Sequence, residues 1–88
     1  MGFDYVTVIM FGIAVGDLTN EIRDVVVAAG LDIGGINHGP HIVGRILNRD
    51  YYHKHLTYNP KDFNDIHTQL KNIGIPGSGR LHVYCVPC

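Results

Sequence analysis

Asn59 to Val86 reads NPKDFNDIHTQLKNIGIPGSGRLHVYCV, and it sets out a helix, a stop and a strand in one stretch. Asn59 before Pro60 marks a helix start, because a proline at the first helical position gives up no N–H that the helix needs. Phe63, Ile66, Leu70 and Ile73 recur at helical spacing until Gly74 closes the segment. Beyond the glycine-rich connector, Leu81 to Val86 predicts a strand.

Working outward, an earlier stretch repeats the pattern. Asp4 to about Val15 is rich in β-branched and aromatic residues and predicts a strand. Asp17 is the expected N-cap of a first helix, whose apolar positions Leu18, Ile22, Val25, Val26 and Ala29 run to Gly30. Asp32 to Leu47 reads as extended chain with a bend or bulge at Gly34, Gly35, Gly39 and Pro40. Asn48-Arg49-Asp50 reads as a hairpin turn into a strand from Tyr51 to Tyr58. The order βαββαβ predicts an α+β, ferredoxin-like sandwich in a single domain, residues 1–88, with two helices on one face of a four-stranded antiparallel sheet.

Composition narrows the function. A chain of 88 residues buries only roughly 60–65% of its unfolded surface, so its core is small. Net charge is −1 with histidine neutral, and the seven Lys and Arg form no dense run, which argues against nucleic-acid binding. Six histidines add positive charge under mild acid. The apolar run Val6 to Val15 is about half the ~20 residues needed to span a bilayer, and it lacks the flanks of a signal peptide. Two cysteines near the C-terminus make no disulfide framework, so a cytoplasmic location is expected. Val6, Val8 and Met10 point to one face of the first strand, and Tyr5, Ile9, Phe11 and Ile13 to the other. Two helices cover one face only, so partner subunits are expected on the second.

The connector Ile73-Gly74-Ile75-Pro76-Gly77-Ser78-Gly79-Arg80 holds more glycine than a turn requires. Gly74 suffices to close the helix. Gly77 and Gly79 would let consecutive backbone N–H groups converge on an anion, and Arg80 would add a planar cation suited to phosphate. A surface turn with Arg80 on a solvated edge accounts for the same residues.

This connector resembles the nucleotide-binding B-loop of the PII signal-transduction family, Thr-Gly-x-x-Gly-Asp-Gly-Lys/Arg followed by a strand. The three glycines and the basic residue fall at the family spacing, with Ile73 in place of the threonine and Ser78 in place of the aspartate. The resemblance implies a homotrimer that holds an adenine nucleotide (ATP, ADP or AMP) or another phosphorylated molecule between subunits, and it implies a regulated protein partner. Gly74, Gly77, Ser78 and Gly79 would supply backbone donors and Arg80 the cation. Val43-Gly44-Arg45 resembles the pair at the base of the family's T-loop, which is shortened here to roughly His38 through Asp50. The basic segment that follows the family's last strand has no counterpart before Cys88. His38, His41, Arg45 and Arg49 are candidates to replace those groups.

Two other classes fit parts of the chain. His38, His41, His53 and His55, or the spacing His82-x2-Cys85-x2-Cys88, supply ligand types for a trimeric metal-binding protein. Only one Cys-x2-Cys pair is present, so no tightly held zinc is expected. Gly16-Asp17-Leu18 with Ala29-Gly30-Leu31-Asp32-Ile33 resembles the first loop and helix of ACT-type amino-acid sensors. No nucleophile elbow or paired carboxylates mark an enzyme, and Asp62 and Asp65 simply suit a helix N-terminus.

Overall fold

The structure, a computed structural model, describes residues 5–35, 39–50 and 57–87. In chain order the elements are β1 (Tyr5–Val15), α1 (Asn20–Ala28), β2 (Asp32–Gly34), β3 (His41–Asp50), α2 (Asp62–Asn72) and β4 (Arg80–Pro87). β1 is the longest strand and lies between β3 and β4, antiparallel to both, while β2 adds to the outer side of β3. The sheet order β2-β3-β1-β4 with two helices is the ferredoxin-like α+β fold. Among the described residues no helix is long and apolar enough to cross a membrane.

Both helices cover one face. Phe11 and Ile13 of β1 and Val43 of β3 form a buried cluster with Val26 of α1 and with Ile66 and Leu70 of α2. Leu31 and Ile75, each two residues past a helix cap, complete it. Gly30 and Gly74 adopt positive φ, +75° and +82°, and end their helices in the same way. The Gly30 amide donates to Val27 O and that of Leu31 to Val26 O; the Gly74 amide donates to Lys71 O and that of Ile75 to Leu70 O. These paired bonds satisfy carbonyls that a helix end leaves orphaned and aim an apolar residue into the core.

Several boundaries differ from the sequence expectations. The N-cap of α1 is Thr19, whose hydroxyl accepts the Ile22 amide at 3.2 Å, and not Asp17. α2 begins at Asp62, after a turn in which Asn59 Oδ1 accepts the Lys61 amide. The expected strand Asp32 to Leu47 is two strands: Gly35, at φ +122°, and Pro40 lie in the connection between them. Asn48, Arg49 and Asp50 make no hairpin turn, since they pair with Ile9, Val8 and Thr7 of β1. Their turn propensity is overridden by the ladder that long β1 offers. Of the expected strand Tyr51 to Tyr58, residues 51–56 lie outside the described residues, and Thr57 and Tyr58 are not in a strand. The connection between the second and third strands is thus residues 35–40, shorter than the sequence suggested.

The middle of the second face of the sheet, around Met10, is covered by the chain itself. Val8, Met10 and Ile42 are 5%, 0% and 7% exposed. Tyr84 of β4 lies over Met10, its hydroxyl donating to the thioether sulfur at 3.4 Å. Gly34 of β2 comes so close from the other side that any side chain there would collide with the Tyr84 hydroxyl and with Met10 Sδ. At Val8, Met10 and Ile42 the burial expected from partner subunits is supplied within the single chain.

Candidate functional site

The glycine connector is held at both ends by the core. Ile75 is buried, and Gly79 packs against the ring of Phe11 so tightly that a Cβ would overlap it. Phe11 stacks on Phe63 of α2 with centroids 4.3 Å apart and planes 8° apart, and Tyr58 stacks on Phe63 in turn at 5.8 Å. Gly77 stands at φ +114° beside Ile13. The excess glycine therefore has structural causes as well: a helix stop at Gly74, a left-handed turn at Gly77 and an aromatic contact at Gly79. Ser78 is exposed. Among the described residues no hydrogen bond occupies the amides of Gly77, Ser78 and Gly79.

Ile75 and Pro76 form a ridge with a hollow on each side. One hollow, of about 410 Å³, lies between the end of β1 and α1 and is walled by Ala14, Val15, Ile22, Val25 and Ile73, with Glu21 as its charged residue. The other, of about 270 Å³, is bounded by Ile13, Gly77, His67 and Lys71. His67 and Lys71 are one turn apart on α2 and so share a helix face. Lys71 stands in the last turn, where the helix dipole favours a cation. Neither residue was singled out from the sequence. Their signal was a basic pair at i, i+4 just before the glycine stop.

The other expected residues are distributed more widely. Arg80 opens β4 opposite Gly12. It therefore starts on the face turned away from Phe11 and the helices, because side chains alternate along a strand. His41 is exposed at the start of β3, opposite Val15 at the end of β1 that borders the apolar hollow. Gly44 is buried in mid-strand opposite Gly12, where either Cβ would strike the neighbouring backbone. Arg45 is committed to α2, its guanidinium donating to Gln69 Oε1 at 3.0 Å. His38 lies outside the described residues.

The proposed metal set is not assembled among the described residues, where no group of three or more His, Cys, Asp and Glu could hold an ion. His82 pairs with Met10 and Cys85 with Thr7, so the two leave opposite faces of β4. The His82 ring lies 3.3 Å from the Gly12 carbonyl, and Cys85 Sγ is 3.6 Å from Thr7 Oγ1. His53, His55 and Cys88 lie outside the described residues.

No family model, curated protein or solved structure matches the chain.

Proposed function

We propose that this is a small PII-like ligand-binding protein that holds an adenine nucleotide, or another phosphorylated molecule with an apolar end, at the connector between α2 and β4. The observation that carries the reading is the pair of hollows flanking Ile75 and Pro76, one apolar with an acidic rim and one basic. In this reading a planar base lies against Val15, Ile22 and Val25, and the Glu21 carboxylate accepts from an exocyclic amino group. Phosphate oxygens then fall to Lys71 and His67, with the amides of Gly77 to Gly79 nearby as further donors. The larger hollow, about 410 Å³, is of the size that small-molecule sites use. Trimeric assembly, as the resemblance implies it, would draw on Leu81 and Val83 of the edge strand β4, which remain exposed.

Thermal-shift measurement with ATP, ADP, AMP, divalent metals and amino acids separates this reading from the metal and ACT-type alternatives, because a ligand stabilises only the fold that binds it. Stabilisation by nucleotides alone supports it. Stabilisation by a metal or an amino acid, with none by nucleotides, replaces it.

A further inference from the structure

The second face of the sheet carries a hollow of its own, distinct from the two beside the glycine connector. It measures about 420 Å³ and is walled by Val6, Val8, Ile46, Val86 and Tyr84, with Arg49 at its side. We propose that this hollow binds a small aliphatic carboxylate, with Arg49 taking the carboxylate group.

Arg49 reaches this face because of a defect in the ladder. Ile42, Gly44 and Ile46 of β3 pair with Ala14, Gly12 and Met10, all on the face away from the helices. Unbroken alternation would turn Asn48 to that face and Arg49 to the helices. The register shifts between Ile9 and Met10, so that Ile9 pairs with Asn48 while Met10 pairs with Ile46, and Arg49 comes opposite Val8. A bulge of this kind re-aims a side chain, and here it brings a cation to an apolar wall.

The chemistry of the walls selects the ligand. Among the described residues Arg49 is the charged residue of the lining, and no ion pair engages it there. Asp50 pairs with Thr7 and leaves by the other face, and the Asp32 carboxylate is turned onto the Ile46 amide at 2.9 Å. The guanidinium fork matches the two oxygens of a carboxylate. Among the described residues the Tyr84 hydroxyl donates to a thioether, a weak acceptor, and it can turn to a better one. A phosphate would find a single cation and apolar walls for its remaining oxygens. In a contact with a second copy of the chain, Arg49 would need an acidic partner, since a desolvated charge left unpaired is costly.

The test is calorimetric and NMR titration with octanoate, below its micelle concentration, on wild type, Arg49→Ala, Arg49→Lys and Lys71→Ala. Wild type is expected to bind, with amide shifts at Val8, Ile46 and Tyr84. Arg49→Ala is expected to bind at least tenfold more weakly, Arg49→Lys to fall between, and Lys71→Ala to match wild type. Equal binding by Arg49→Ala, binding of octanol as tight as octanoate, or shifts confined to the glycine connector would overturn the proposal. So would an oligomeric wild type that becomes monomeric on Ile46→Asp, because a second copy would then be the occupant.

Discussion

Gly30 and Gly74 occupy equivalent positions in the two halves of the fold: each follows a helix cap at positive φ, and each delivers an apolar residue, Leu31 or Ile75, to one shared core. The second of these stops sets the course of the candidate site. Ile75 is fixed by it, and the hollows open on either side of Ile75 and Pro76.

Replacing either glycine by alanine should therefore destabilise the fold by about 1–2 kcal/mol, the cost of a side chain in the left-handed region. Open space surrounds both positions, so the loss is conformational and asparagine should recover part of it. Urea denaturation of the four variants checks this; a Gly74→Ala protein as stable as wild type would contradict the assigned helix end.

At Gly79 the expected effect is steric. Gly79→Val should cost roughly 1–3 kcal/mol through overpacking against Phe11, and trimming the ring in Phe11→Leu should relieve part of that in the double variant. A double-mutant cycle by denaturation reads the coupling. Strict additivity would mean that the glycine is not required by the ring.

The cap of α1 separates two threonine and aspartate assignments cleanly. Thr19→Ala should lower stability by about 1 kcal/mol, as loss of a capping hydroxyl does, whereas Asp17→Ala should change it little. The reverse ranking, measured by thermal or urea unfolding, would restore Asp17 as the cap.

Much of the architecture was legible in residue order. The βαββαβ succession, the apolar faces of both helices and their glycine stops follow from spacing alone, because periodicity and helix stops are local properties. The limits of the third strand were not. Asn48-Arg49-Asp50 carries turn residues, and only the presence of β1 beside it, more than thirty residues earlier in the chain, makes it strand. The same non-local cause hid the state of the second face: that Tyr84 crosses Met10 to meet Gly34 depends on three strands at once. In the candidate site, the glycines were visible as a group, but their contacts with Phe11 and Ile13 were not. A basic pair such as His67 and Lys71 on an exposed helix face is common in any sequence, and only the position of the hollow singles these two out.

The most direct test of the central claim is calorimetric titration of ADP into wild type, Lys71→Ala, His67→Ala and Arg80→Ala at low salt. Wild type should bind, with an affinity that falls as salt rises, since exposed charge contacts are screened. Lys71→Ala should weaken binding about tenfold or more, equivalent to about 1.4 kcal/mol, His67→Ala should weaken it less, and Arg80→Ala, which begins β4 on the other face, should leave it near wild type. Absence of binding by wild type, or equal affinity for all four proteins, would contradict the nucleotide site and leave the connector as a turn shaped by its own packing.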